Sequence, residues 1–245
     1  MTDTRKIVRL LLARYPEPKL ALRYAKPLEL LIAVMLSAQC TDARVNEVTR
    51  TLFKKYRSAD DYAGDAPAAF EQDIRATGFY RSKTRSILGC CRKLVSDFGG
   101  RVPRTLEDLL SLPGVGRKTA NMVLGNAFGV PAIAVDTHVL RVANRLGLAH
   151  TDDPWETEQA LAARLPREHW TALSNALILH GRDTCHARKP ACWACVLYPE
   201  CGWPGKLAQE KAKAKTGAAT GRSAPARKAA GVEASPRVRV RKPAR

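Results

Sequence analysis

What this sequence lacks narrows it first. No apolar run approaches the roughly 20 residues needed to cross a bilayer. The strongest, Leu28 to Leu36, is short and interrupted by Glu29, and it reads as a helix enclosed by other helices. The opening MTDTRKIVRL has neither the apolar core nor the small-residue cleavage site of a secretory signal, so a cytoplasmic or nucleoid-associated protein is expected. Nowhere do β-branched residues alternate over the length of a strand, and no internal repeat is found. Acidic residues are scarce too: 23 Asp and Glu against 41 Lys and Arg leave a formal charge of +18 and a pI near 10.0. Such a field attracts polyanions, which makes nucleic acid the first partner to consider. An anionic membrane surface is the rival, but it usually recruits through an amphipathic helix with a basic face, and no membrane association is expected.

What is present is helix after helix. Thr4 to Tyr15 carries a broad apolar face and ends at Pro16, and Pro27 suits the first position of the next helix. SAQCTD then breaks the pattern, placing Gln39 on a turn, with Asp42 as a candidate cap for a helix carrying Val45, Val48, Leu52 and Phe53. Two short helices, Ser58 to Ala63 and Asp65 to Thr77, lead to a connection at Gly78, Phe79 and Tyr80, and Ser82 to Asp97 forms a longer helix. Asp136 is a good N-cap for a helix ending at Gly147. Asp153 and Pro154 open the next, and a final one runs from about Arg167 to His180 and stops at Gly181. At 245 residues the chain has room for one large domain or two small ones.

The stretch LPGVGRKTANMVLGNAFGVPAIAVDTH, Leu112 to His138, organises the rest. Thr105 and Asp108 have capping-box spacing for a short helix before it. Gly114 and Gly116 flank Val115 in a tight turn, and a second helix starts at once near Arg117. The amides opening that helix point outward, where a DNA phosphate could sit. Arg117 and Lys118 lie at the positive end of the helix, a poor place for cations unless they face an anion or one is wanted neutral. On residue type alone, Lys118 is more often a phosphate contact than a nucleophile, and Asp136 a structural cap at least as often as a catalyst.

Seven cysteines in such a compartment are not expected to pair. Cys185, Cys192, Cys195 and Cys201, spaced C-x6-C-x2-C-x5-C, can hold zinc or an iron-sulfur cubane. Only Cys192 and Cys195 form the short-spaced pair common in zinc modules. Cys40, Cys90 and Cys91 read as small apolar core residues. Arg188 and Lys189, between the first two ligands, would be held out as a basic finger.

LPGVGRKTA resembles the hairpin of the helix-hairpin-helix DNA repair glycosylases, and AVDTH resembles their catalytic aspartate segment. The cysteine spacing after LILHGRDTC resembles the [4Fe-4S] loop of the endonuclease III family, and the likeness spans about residues 1 to 205. It implies an all-α fold of two helical lobes: residues 21–130 as a six-helix domain with the hairpin, and residues 1–20 with 131–205 as an iron-sulfur domain. DNA would bind across the cleft between them, as a complex with one copy of the chain. By the same likeness, Lys118 is a Schiff-base nucleophile partnered by Asp136, and Cys185, Cys192, Cys195 and Cys201 hold a [4Fe-4S] cluster. Gln39 fills the gap left by an extruded base, Gly114, Val115, Gly116 and Arg117 meet DNA, and Arg188 and Lys189 bind phosphate. The family's second wedge is a leucine in GLY, where this chain has Phe79 in GFY. The expected activity is excision of oxidised pyrimidines from duplex DNA, followed by β-elimination at the abasic site. An adenine mismatch glycosylase, a relative that lacks the hairpin lysine and carries a further folded domain, is the alternative enzyme. A non-catalytic DNA-binding protein is the alternative of another class, and borohydride trapping on abasic DNA separates it.

Residues 206–245 change character: Ala, Gly and Pro among twelve Lys and Arg against two Asp and Glu, a net of +10 without apolar periodicity. A disordered basic tail is expected there, gripping DNA without reading sequence.

Overall fold

The computed structural model describes residues 3–209. The basic tail expected beyond Gly205 lies, from residue 210 on, outside the described residues; Lys206 to Gln209 form a helical turn. No strand is present among the described residues, and none of their helices is long and apolar enough to cross a membrane.

Eleven α-helices are described: α1 Thr4–Arg14, α2 Pro27–Leu36, α3 Asp42–Lys55, α4 Ala59–Ala63, α5 Pro67–Ile74, α6 Tyr80–Phe98, α7 Leu106–Leu110, α8 Arg117–Phe128, α9 Thr137–Leu146, α10 Pro154–Arg164 and α11 Trp170–Asp183. They enclose two separate hydrophobic cores. In the first, α2 is the central element, with every residue from Leu30 to Leu36 buried against α3, α6 and α8. Glu29, the acid that interrupts this apolar run, turns back so that its carboxylate accepts from the Ala25 N–H at 2.6 Å. It thereby serves the open amino end of a helix that has no side-chain cap at Lys26.

The second core joins α1 (Ile7, Leu11) to α9 (Val139, Val142, Leu146), α10 (Leu161), α11 (Leu173, Leu177) and Leu197 of the cysteine loop. The chain therefore returns its first helix to its last third, and α1 packs on α11. The two cores meet where α8 lies against α11. A Cβ on Gly125 would come within 2.6 Å of the Thr171 side chain, so the two backbones approach more closely than any larger residue would allow. Polar bonds complete this seam, with Asn121 donating to the Ile133 carbonyl at 2.8 Å and Asn175 to the Asn126 side chain at 2.8 Å.

Several local expectations shift. Thr41, not Asp42, caps α3, which leaves the Asp42 carboxylate free to pair elsewhere. Asp65 does not cap α5; it accepts from the Tyr56 hydroxyl. The last helix does not stop at Gly181 but continues to Asp183. Gly181 is instead a contact glycine, since a Cβ there would meet His138 at 2.9 Å where α9 crosses. Cys90 and Cys91 are fully buried as expected, and burial pushes the Cys90 thiol up to about 12. Cys40 is only half-buried.

Candidate active site

The hairpin is built from both sides. Thr105 caps α7, accepting from the Asp108 N–H at 3.2 Å, but the return half of the box is absent: the Thr105 hydroxyl donates to the Asp108 carboxylate at 2.6 Å instead. Gly114 has φ +74, and a Cβ there would sit 2.5 Å from Cβ of Ser86 on α6, so both conformation and space demand glycine. Gly116 is different. Its φ is −89, open to any residue, and nothing lies within 4 Å of its missing Cβ. The room it leaves is on the outside, at the amino end of α8, which has no side-chain cap. Val115 drives its side chain into the first core, so only its backbone is available to a partner.

Arg117, expected to face phosphate, is turned away. Its guanidinium forms a two-bonded pair with Glu158 of α10 and stacks on Trp155. A positive charge in the first turn of α8 is thus offset by a carboxylate from the other core.

Lys118 comes next on α8 and lines a cleft with Asp136, Asp42, Arg182, Asn175 and Ser37, holding about 440 Å³ of empty space with its open mouth included. The cleft runs between the two cores, bringing together a lysine and an aspartate 18 positions apart in sequence. Burial pulls the Lys118 ammonium below its ordinary value, Arg182 adds to that, and Asp136 and Asp42 oppose it. The neighbouring cation that acts is therefore Arg182, which pairs with Asp42 across the cleft, rather than Arg117.

Asp136 caps α9 through one oxygen. Oδ1 accepts from the amides of both His138 and Val139 at 2.8 Å, whereas Oδ2 makes no hydrogen bond, and the residue lines the cleft. His138 is a packing and hydrogen-bonding residue: its Nδ1 lies 3.1 Å from Arg141 Nη2, and burial lowers its affinity for a proton.

Among the described residues just three outside glycine have positive φ: Gln39 (+50), Phe79 (+47) and Lys189 (+50). All three were singled out in the sequence as DNA contacts, and all three are exposed, Phe79 by 66%. A left-handed non-glycine residue costs on the order of 1–3 kcal/mol and gathers where function over-rules local preference.

The four C-terminal cysteines line one cavity with His180, Arg145 and Trp203. Arg145 of α9 donates to Cys185 Sγ at 3.3 Å and to the His186 and Ala187 carbonyls at 2.8 and 3.0 Å, while stacking on Trp203. The loop that presents Arg188 and Lys189 is thus tied down from beneath, with Arg141 also donating to the Cys185 carbonyl at 3.2 and 3.0 Å. His180 places Nε2 3.5 Å from Cys195 Sγ, and burial lowers its pKa to about 4, so the ring is neutral. Of the residues singled out in the sequence, Lys118 and Asp136 share the cleft and the four cysteines share the second cavity, while Arg117 pairs with Glu158.

Residues 32–167 match the family described as HhH-GPD superfamily base excision DNA repair protein. Endonuclease III of Bacillus subtilis (strain 168) is 47% identical over 188 residues, covering 76% of this chain and 86% of that protein. The chain belongs to the endonuclease III family. Endonuclease III of Escherichia coli (strain K12), another member, is 42% identical over 192 residues, covering 78% and 91% of the two chains. Among solved structures of the family, a non-covalent endonuclease III–DNA complex superposes with a TM-score of 0.81 at 44% identity, over 86% of this chain and all of that one. Members of this family act in base excision repair, so the cleft between the two cores is the place to look for chemistry on DNA.

Proposed function

We propose that this chain is a bifunctional DNA glycosylase and AP lyase acting on oxidised pyrimidines, with Lys118 as nucleophile and Asp136 as its carboxylate partner. The observation that carries the reading is the juxtaposition of a lysine held below its ordinary pKa and an aspartate with one free oxygen in a single cleft. A trapped covalent endonuclease III–DNA intermediate stands among the structural relatives, with a TM-score of 0.79 at 44% identity, over 87% of this chain and all of that one, and supports amine chemistry.

The damaged nucleotide must leave the stack before an amine can reach C1′ of its sugar. Phe79 and Gln39, both exposed and left-handed, suit the work of entering the duplex and filling the gap. The uncapped amides at the start of α8, after Gly116, with Arg188 and Lys189, suit the phosphates on either side. Lys118 Nζ, as free amine, bonds to C1′ while the C1′–N bond to the base breaks and the base departs with that electron pair. Asp136 carries a negative charge beside the sugar as positive charge develops there, and Oδ2 takes the proton that the attacking nitrogen sheds. Opening of the sugar ring gives the imine. Loss of a C2′ proton then expels the 3′ phosphate, cutting the strand 3′ to the lesion.

We also propose a [4Fe-4S] cluster at Cys185, Cys192, Cys195 and Cys201. The four thiols fit such a group, since they surround one cavity. Their neighbours suit thiolates, since Arg145 donates to Cys185 Sγ and a neutral His180 can donate to Cys195 Sγ. When bound, the cluster supplies the four bonds that close the basic loop. A place at the nucleoid follows from the DNA substrate.

Borohydride trapping on abasic duplex tests the reading. The wild type is expected to form a covalent adduct and Lys118→Gln none, with duplex binding retained. Asp136→Asn should slow excision steeply while staying folded, because an asparagine oxygen still caps α9. An adduct with Lys118→Gln would place the nucleophile elsewhere.

A further inference from the structure

Lys83 is a buried lysine that the chemistry above does not use. It lies in the first turn of α6 and is only 6% exposed. Its ammonium donates to the Thr77 carbonyl at 2.8 Å. Thr77 is itself buried, its hydroxyl donating to the Ile74 carbonyl at 2.8 Å. A cation inside a protein loses its hydration, and here that loss pulls the ammonium below its ordinary value, with Cys40 near enough to oppose the shift. No carboxylate pairs with it. The buried ammonium therefore has a carbonyl, rather than a carboxylate, as its partner.

What surrounds Lys83 explains the choice. The Thr77 carbonyl ends a 3₁₀ turn, Arg75–Thr77, and the next two residues both have positive φ: Gly78 at +68 and Phe79 at +47. Glycine adopts this region freely, but phenylalanine does not, and its exposed ring gains no burial to offset the strain. The turn is held from α6 at two points, by the Lys83 ammonium on Thr77 and by the Lys83 backbone N–H, which donates to the Phe79 carbonyl at 3.1 Å. One residue therefore grips the turn on both sides of Phe79. Lys83 thus sits beneath the Phe79 turn.

We propose that Lys83 is a positioning residue for base extrusion: by holding the Thr77 carbonyl it keeps Phe79 in the strained conformation that presents its ring to the base stack. The inference rests on the glycosylase reading. A ring already poised enters the stack without first ordering its loop, and that advantage matters where a paired base has to be displaced. It should vanish where the base is already out of its pair. A purely structural lysine would show no such selectivity.

The test compares Lys83→Met, which keeps the stem and loses the donor, with wild type in single-turnover excision of one lesion in two duplexes. In one the lesion is paired; in the other it lies in a single-nucleotide bulge. The variant is expected to be slower by about tenfold on the paired lesion and within about twofold on the bulge, as the loss of one buried hydrogen bond to an ammonium predicts. In a Phe79→Ala background the substitution should add no further loss on the paired lesion, because no ring remains to be placed. Equal slowing on both duplexes, no slowing on either, or full additivity with Phe79→Ala overturns the proposal. Should Lys83→Met fail to fold, Lys83→Arg, which keeps the charge but moves the donors, carries the same comparison. Wild-type adduct formation on abasic duplex is the control: its absence sinks the glycosylase reading, whereas its presence with unselective variants sinks only the role of Lys83.

Discussion

Arg117 donates Nε and Nη2 to the two carboxylate oxygens of Glu158, at 2.8 and 2.9 Å, with its guanidinium carbon 3.8 Å from the centre of the Trp155 ring. The first residue of α8 is thereby fastened to α10, in the other core, one position before Lys118. An arginine so engaged is not free to neutralise a phosphate. Arg117→Gln should therefore leave the slope of log K against log salt for undamaged duplex unchanged, while Glu158→Gln, which releases the guanidinium, should steepen it by up to about 0.9. Salt titrations of the two variants check this. A slope made shallower by Arg117→Gln would put that side chain on DNA after all.

Lys118 makes a second prediction, about stability rather than rate. Its folded pKa is lowered, so the unfolded chain holds the proton more tightly. Folding bears that penalty in full when both states are protonated, at neutral pH if the folded value remains above it, and is relieved as pH rises from the folded value toward the ordinary 10.5. Lys118→Met is expected to unfold at a higher denaturant concentration than wild type near neutral pH, with the difference shrinking at alkaline pH. Denaturation midpoints across that range decide it, and a gap that widened with pH would reverse the sign.

The two hairpin glycines should respond differently to alanine. Gly114→Ala meets both the left-handed φ of +74 and the Ser86 side chain, and should cost roughly 2–3 kcal/mol of stability. Gly116→Ala has open space and an ordinary φ, so it should cost about 1 kcal/mol or less, as a weaker helix cap, yet weaken DNA binding. Thermal melts beside duplex titrations separate the effects. Loss of binding without loss of stability at Gly114 would contradict this assignment.

The cysteine loop yields a prediction by analysis. Protein purified without oxygen should be yellow-brown and contain about four iron and four sulfide per chain. Cys192→Ala should lose iron, and with it the order of the loop carrying Arg188 and Lys189. Stoichiometric zinc in place of iron would overturn the cluster.

Much of this molecule is local and was legible in the sequence. Pro27, Thr105, Asp136 and Asp153 open helices because a proline's fixed φ or a side-chain oxygen's reach to nearby amides acts within four residues. Lys118 and Asp136 stood out as candidates because their segments resemble a family, and the four cysteines because of their spacing and what precedes them.

Only the tertiary structure decided the rest, wherever a property depends on what packs against a residue from far away. Arg117 looked like a phosphate ligand until α10 brought Glu158 to it. The pKa of Lys118 is set by burial, by Asp136 and Asp42, and by Arg182, 64 positions on, rather than by its sequence neighbour. Gly181 marks no helix end, because α9 needs the space that its missing side chain leaves. Lys83 stands between Arg81 and Arg85 with no sequence signal that sets it apart; folding buries it beneath the Phe79 turn. Charge and capping are written residue by residue, whereas burial and long-range pairing exist only once the two cores have closed.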